Sequence, residues 1–179
     1  NNLFIALGQS GTILTSSDGV TWTSRTSGSS RNLWAVAYGN STYVVVGGSG
    51  TILTSSDGIS WTSRSSGTSS PLYGVSFGNN VFVAVGYSAT ILSSSDGSSW
   101  SSRSGAEGQL DTVTYGNGKF IAVGAAYNKL FSSGDGTNWT TVSHGSTLGM
   151  KGIVYANNKF VAVGHSGEIL TSSDGGTWS

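Results

Sequence analysis

The chain has 179 residues, with eight basic and eight acidic side chains, and therefore a formal net charge of zero. This balance, with only 9% charged residues, excludes the basic surface expected of a nucleic-acid binder or of a protein attracted to anionic membranes. The lack of cysteine excludes disulfides and thiolate metal sites, and no apolar run reaches the length of about 20 residues that a membrane span needs. We expect a single domain over residues 1–179, with no nucleic-acid partner and no membrane insertion.

In chain order, the first predicted element is a short apolar strand at residues 4–7, and the first complete set of strands follows in the second repeat. That set comprises strand a (33–38), strand b (43–46), strand c (51–55) and strand d (60–64), separated by turns rich in Gly, Asn, Ser and Asp. Strand b is an unbroken apolar run, which predicts burial on both faces. Strand a recurs at 72–77, 110–115 and 150–155, and strand b at 82–85, 120–123 and 160–163.

A seven-residue motif between strands c and d sets the period. It reads Ser-Ser-Asp-Gly-Val-Thr-Trp at residues 16–22 and recurs, with variations, every 39 residues up to 172–178. The Asp-Gly pair predicts a tight hairpin turn, because glycine accepts the positive φ that such turns need. The Trp that follows is expected to bury its ring against the neighbouring hairpin. The repeats run over residues 1–32, 33–71, 72–109, 110–149 and 150–179, and they indicate an array of supersecondary units.

Four short antiparallel strands per repeat, with strand b buried on both faces, are typical of a β-propeller blade. The sequence therefore predicts an all-β, five-bladed β-propeller with four-stranded antiparallel blades, whose first blade lacks its inner strand a. A stacked β-solenoid is the alternative, but its repeats are shorter and its strands parallel. Three explanations for the missing strand stay open: the chain is cut from a longer polypeptide, the slot stays empty, or another chain donates a strand.

The Ser-x-Asp-Gly-x-Thr-Trp motif resembles the Asp-box (bacterial neuraminidase) repeat of β-propellers, and the chain is similar to propellers of the photosystem II assembly-factor type. In the usual Asp box one residue separates Asp from Gly, whereas here the two are adjacent. The resemblance implies that the boxes lie on the c–d turns, away from the ligand-binding face, and are structural. The residues concerned are Asp18, Trp22, Asp57, Trp61, Asp96, Trp100, Asp135, Trp139, Asp174 and Trp178.

Positions where the repeats differ are the candidates for ligand binding. They are the second residue of strand a and the b–c turn, because in a propeller the d–a crossings and the b–c turns emerge on the same face, around the central channel. The residues are Trp34, Tyr73, Tyr87, Asp111, Tyr127, Lys151 and His165. Neutral variation at exposed positions is the alternative explanation.

Catalysis, metals and cofactors are not expected. A glycosidase needs two carboxylates at a defined separation, and the few acidic residues outside the boxes are Glu107, Asp111 and Glu168. The three arginines that follow a box Trp by three residues are expected on the outer strand d, which does not suit the arginine triad of the sialidases in the family resembled. His144 and His165 lie in different repeats, and the box aspartates are single and dispersed, which favours neither a zinc nor a calcium site.

We therefore expect a non-catalytic binding or structural module of a larger secreted or surface/fibre protein, contacting a partner through the face with the b–c turns and d–a crossings. The partner is a protein or a glycan. A lectin-like propeller is the main alternative, because aromatic platforms with neutral hydrogen-bonding groups suit sugars, and a glycosidase- or sialidase-like enzyme is a distant one. The uncharged, Ser/Thr/Gly-rich composition favours secretion or display on a cell or virion surface.

Overall fold

The computed structural model describes residues 3–124 and 129–179, which form five antiparallel sheets. Sheet 1 contains β1 (Phe4–Leu7), β2 (Ile13–Ser16) and β3 (Thr23–Arg25); sheet 2 contains β4 (Leu33–Gly39), β5 (Thr42–Gly47), β6 (Ile52–Ser55) and β7 (Thr62–Arg64); sheet 3 contains β8 (Leu72–Gly78), β9 (Val81–Gly86), β10 (Ile91–Ser94) and β11 (Ser101–Arg103); sheet 4 contains β12 (Thr112–Gly116), β13 (Lys119–Val123), β14 (Leu130–Ser133) and β15 (Thr140–Val142); sheet 5 contains β16 (Met150–Ala156), β17 (Lys159–Gly164) and β18 (Ile169–Ser172). The described residues include no helix that is long and apolar enough to cross a membrane.

Each sheet is a meander in which consecutive strands pair, so the predicted all-β fold and the a–b–c–d order are confirmed. In its described part, sheet 1 begins at the strand b position, as predicted. Sheet 5 has three strands, but Ser179 exchanges backbone hydrogen bonds of 2.8 and 3.1 Å with Thr171, which marks the start of a strand d. Strand d begins two residues later than predicted in sheet 2, because residues 60 and 61 belong to the turn.

The sheets pack face to face, with their innermost strands β1, β4, β8, β12 and β16 adjacent in that order. Between sheets 2 and 3, for example, the earlier sheet contributes Val44, Val46 and Ile52, and the later sheet contributes the buried residues Leu72, Val75, Phe82, Ala84 and Leu92. Equivalent clusters fill the other three junctions. The predicted burial of strand b on both faces is confirmed in sheet 2, where Val44, Val45 and Val46 are fully buried.

The two end sheets do not close onto each other. Val163 and Ile169 of sheet 5 are 44% and 63% exposed, although their equivalents Val46 and Ile52 are fully buried. Phe4 of sheet 1 is 55% exposed, whereas the equivalent Phe82 is inaccessible. The predicted closed, five-bladed ring is therefore not confirmed. Interior junctions use residues from both strand a and strand b of the later sheet, and sheet 1 supplies no strand a in its described part.

Two glycine positions bring neighbouring sheets close together. The Asp-Gly turn of a later sheet contacts the aliphatic strand b residue of the earlier one, so that a methyl group built on Gly97 would lie 2.9 Å from Cγ2 of Val44. The last residue of strand a is covered by the aromatic ring of the next sheet, and a methyl group on Gly39 would overlap the ring of Phe77. These close approaches explain why the repeats carry glycine at both positions.

Candidate functional site

The Asp-Gly motifs form five nearly identical hydrogen-bonded turns between the third and fourth strand positions. In sheet 2, the Ser55 hydroxyl donates to Oδ1 of Asp57 at 2.8 Å and accepts from the N–H of Gly58 at 2.8 Å. The N–H groups of Ile59 and Ser60 both donate to the same carboxylate oxygen at 2.8 Å. The other four copies repeat these bonds around Asp18, Asp96, Asp135 and Asp174. Each carboxylate thus stabilises its own turn.

These bonds predict a loss of stability in acid. Backbone N–H donors, from Ser60 and then Ile59 in the case of Asp57, lower the pKa of this carboxyl from 3.8 to about 2, and the pKa values of Asp18 and Asp174 also fall to about 2. Since the folded pKa lies below the unfolded one, the stabilisation is complete above about pH 5 and is lost as the pH falls towards 2.

We expect the urea concentration at the midpoint of unfolding to decrease markedly between about pH 5 and about pH 2.5. The first pH lies about 1 unit above the ordinary pKa of the carboxyl groups, and the second lies near their folded pKa. Asp57→Asn should reduce the size of this decrease, because one titrating carboxylate is removed. The exposed Glu107, which lies in no box, provides the matched control Glu107→Gln. An unfolding midpoint that is the same at both pH values would contradict the role of the boxes.

The box tryptophans pack on the strand b aromatic of their own sheet. Ring centroids are 6.4 Å apart for Trp139 and Phe120, and 6.2 Å apart for Trp178 and Phe160. The indole N–H of Trp139 donates to the Gly136 carbonyl at 3.3 Å. Trp139 is 7% exposed, whereas Trp22 in sheet 1 is 40% exposed. Trp139 and Trp178 therefore pack within their own sheets.

The variable second residue of strand a lies on a β-bulge. In sheet 2, the pairing of strand a with strand b passes from Leu33 directly to Ala35 and leaves Trp34 without a partner residue in the register. The same shift leaves Tyr73 unpaired in the register of sheet 3 and Lys151 in that of sheet 5. In sheet 4, Asp111 precedes β12 and its N–H donates to the Val123 carbonyl at 2.8 Å. A bulge turns its side chain away from the regular alternation of the strand, and bulges are common next to functional sites.

Four of the predicted site residues form two pairs. The rings of Trp34 and Tyr73 are 5.1 Å apart at 44° to each other, and Trp34 is 42% exposed. Nζ of Lys151 lies 2.8 Å from Oδ2 of Asp111, whose other oxygen accepts from the side chain of Gln109. We call these four residues the strand-a row, because they occupy the same position on the adjacent strands of sheets 2, 3, 4 and 5.

The strand-a row is continuous from sheet to sheet. A methyl group on Gly74, the residue after Tyr73, would lie 2.8 Å from Cα of Thr112, the residue after Asp111. An aromatic pair therefore lies at one end of the row and an ion pair at the other. No described contact connects the row to the other predicted residues, Tyr87 and His165.

The b–c turns lie at the same end of the sheets as the row. Three backbone N–H groups of these turns donate to carbonyl oxygens: Gly48 to Asn32 at 2.8 Å, Tyr87 to Pro71 at 3.0 Å and His165 to Gly149 at 3.2 Å. Each turn is therefore hydrogen-bonded to the crossing that enters its own sheet. Both Tyr87 and His165 are exposed. Tyr127, the remaining predicted residue, lies outside the described residues.

Two of the three acidic residues considered for catalysis are paired with lysines. Glu107 forms an ion pair with Lys129, and Asp111 pairs with Lys151. The arginines lie on strand d, where Arg64 Nε donates to the Thr54 hydroxyl at 2.9 Å and Arg25 and Arg103 make the equivalent bond. Across residues 3–124 and 129–179, no three His, Cys, Asp or Glu side chains form a group that could hold a metal ion.

Two grooves, lined by b–c turns, strand d and the crossings that follow it, were not predicted from the sequence. The larger, of about 560 Å³, lies between the Ser49–Gly50 turn and the crossing at residues 66–69, with Arg64 in its wall. The smaller, of about 320 Å³, lies one sheet further, with Arg103 in the equivalent place. The sequence signal for them is a Ser-Gly-Ser or Ser-Gly-Thr crossing after Arg25 and Arg64, and this signal does not reveal a concave surface.

Five antiparallel meanders packed face to face, with their innermost strands adjacent, define an architecture of the β-propeller type. No protein-family model matches the chain, and no curated protein matches it either. Solved propeller structures do match. YCF48 bound to a D1 peptide is 17% identical, with a TM-score of 0.75 over 98% of this chain and 61% of that one.

Two further structures have the same architecture. YCF48 from Cyanidioschyzon merolae is 18% identical, with a TM-score of 0.73 over 99% of this chain and 66% of that one. The WD40 β-propeller domain of Doa1 is 13% identical, with a TM-score of 0.73 over 96% of this chain and 61% of that one. At these identities the likeness shows the fold. The chain spans less than two thirds of the length of each of these structures.

Proposed function

We propose that the chain is a non-catalytic protein-binding module built from five propeller blades of the Asp-box kind, and that the strand-a row is the centre of its contact surface. The observation that carries this proposal is the composition of the row: an exposed Trp34 in contact with the half-buried Tyr73, and a Lys151–Asp111 ion pair, at the positions where the repeats differ. The larger protein to which this module belongs is secreted or displayed on a cell or virion surface, as the composition favours.

The chemistry of the row suits an extended peptide or a protein loop. Tryptophan and tyrosine are the residues that most often dominate binding energy, because they bury a large area at a small cost in side-chain entropy. The Lys151–Asp111 pair can exchange partners with a charged side chain of the ligand, which would fix its orientation. That YCF48, a propeller of similar architecture, is seen with a bound D1 peptide supports a peptide partner.

The test is selection of short random peptides from a phage-displayed library on the wild-type chain, followed by affinity measurements on variants. Trp34→Ala should weaken binding of the selected peptides by about tenfold or more, because it removes an exposed aromatic anchor. Tyr38→Ala is the matched control, since Tyr38 is 43% exposed on the same strand and its ring contacts Tyr43, away from the row. Peptides that bind Trp34→Ala as tightly as the wild type, or a selection that yields none, would contradict the proposal.

A lectin-like function is the second candidate, supported by the same aromatic pair and, separately, by the hydroxyl-lined groove at residues 63–69. A glycan array distinguishes the two candidates. If the chain binds a saccharide, loses this binding in Trp34→Ala and selects no peptide, the ligand of the row is a sugar and not a peptide.

A further inference from the structure

The interior junctions between sheets all use one pair of complementary faces. The earlier sheet presents three aliphatic side chains, such as Val83, Val85 and Ile91 of sheet 3. The later sheet presents an aromatic residue, a smaller aliphatic residue (alanine in sheets 3, 4 and 5, Val45 in sheet 2) and a large apolar residue, which in sheet 4 are Phe120, Ala122 and Phe131. The six residues named from sheets 3 and 4 are between 0% and 1% exposed. The junction is therefore a well-packed, dry interface whose two halves differ in shape.

Each end of the described structure carries one unpaired half of this junction. We call the surface of Phe4, Ala6, Leu14 and Trp22 on sheet 1 the leading face, because it has the aromatic–alanine–leucine pattern of a later sheet. We call the surface of Val161, Val163 and Ile169 on sheet 5 the trailing face, because it has the aliphatic pattern of an earlier sheet. Phe4, Trp22, Val163 and Ile169 are 55%, 40%, 44% and 63% exposed.

The turn glycines show the same mismatch. At interior junctions an aliphatic side chain of the earlier sheet approaches the turn glycine of the later one, as Val83 approaches Gly136 and Ile121 approaches Gly175. Gly19 on the leading face has only Phe4 of its own sheet nearby, since a methyl group there would lie 3.7 Å from Cε2 of that ring. Val161, the equivalent of Val83, is the trailing-face residue suited to contact Gly19.

We propose that a second copy of this chain docks head to tail, with its leading face on the trailing face of the first. The junctions before sheets 3, 4 and 5 join strand b and strand c surfaces of these two patterns, which supports their fit. A chain without net charge also brings no long-range repulsion to such an encounter. Because the two contacting surfaces differ, the contact is heterologous and can be repeated from copy to copy. The proposal is independent of the ligand-binding role of the strand-a row.

One position in sheet 5 identifies the occupant as a second copy and not as a further complete sheet. Gly39, Gly78 and Gly116 end strand a in sheets 2, 3 and 4, and the aromatic ring of the next sheet's strand a lies where a Cβ atom would be. Sheet 5 has Ala156 at this place. Its methyl group would overlap the ring of a complete next sheet, but sheet 1 brings no strand a in its described part and leaves room for it.

The test is sedimentation equilibrium of the 179-residue chain over a series of concentrations, with one blocked face at a time. Ile169→Asp places a charge on the trailing face and Phe4→Asp on the leading face, and both side chains are exposed, so both variants should fold. Ile59→Asp is the matched control, since Ile59 is 48% exposed in a turn away from both faces. Trp22→Asp is a second leading-face variant, should Phe4→Asp fail to fold.

We expect the mass of the wild type and of Ile59→Asp to rise with concentration from the 18.2 kDa monomer, and each blocked variant to stay monomeric alone over the same range. A mixture of Ile169→Asp and Phe4→Asp should form a one-to-one dimer and nothing larger, because one intact leading face then meets one intact trailing face. A wild type that is monomeric throughout, as it would be if its own end sheets closed on each other, would overturn the proposal. Blocked variants that associate like the wild type, or a mixture without dimer, would do so as well.

Discussion

Trp139→Ala should lower the free energy of unfolding by about 3–5 kcal/mol, the range typical of a buried aromatic residue replaced by alanine. Its indole ring is 7% exposed and packs in the cluster between sheets 3 and 4, with its ring centroid 6.4 Å from that of Phe120. The substitution removes this contact, leaves a cavity in a rigid junction, and deprives the Gly136 carbonyl of the indole N–H donor.

The control for this prediction is Trp22→Ala, the same substitution in the same motif. Trp22 lies on the leading face and is 40% exposed, so much less area is lost from the core. Urea unfolding of both variants, measured in dilute solution where the chain is monomeric, gives the comparison. Equal losses of stability would mean that the box tryptophans act through their turns alone and not through the junctions between sheets.

Gly116→Ala should have the second large effect, a destabilisation of about 1–3 kcal/mol from overpacking. The added Cβ would overlap the ring of Tyr155, which lies on the end of β12 and is itself packed in the cluster between sheets 4 and 5. The ring cannot move outward without separating the two sheets. The backbone of Gly116 does not have a positive φ, so the cost comes from this contact and not from the backbone conformation.

Ala156→Gly is the reciprocal change at the equivalent position in sheet 5. No later sheet covers Ala156 in the described residues, so this substitution should cost no more than about 0.5–1 kcal/mol of backbone entropy. Thermal or urea unfolding of both variants measures the difference. If Gly116→Ala is as stable as the wild type, the inner strands are further apart than the structure places them.

The strand pattern of this chain was readable from sequence because it depends on local chemistry. Unbroken apolar runs such as residues 43–46 specify a strand buried on both faces, and Asp57-Gly58 specifies its turn through hydrogen bonds within four residues.

The candidate site was only half predictable, because its geometry depends on contacts between sheets. Sequence differences pointed to Trp34, Tyr73, Asp111 and Lys151, but the bulges at Trp34, Tyr73 and Lys151 and the pairing into an aromatic and an ionic contact appear only in the packed structure. The exposure of the end faces was also missed. Residues such as Ile169 have the same type as their buried equivalents, and periodicity cannot tell a covered face from a free one.

One type of junction holds neighbouring sheets together, and the leading face of sheet 1 and the trailing face of sheet 5 are its two uncovered halves. Amide hydrogen exchange resolved by strand, in dilute solution, tests it most directly. We expect the slowest amide exchange in β5, β9 and β13 and much faster exchange in β1 and β18. The protection of β1 and β18 should increase with protein concentration. End strands that exchange as slowly as β9 at every concentration would contradict it, because the ring would then be closed within one chain.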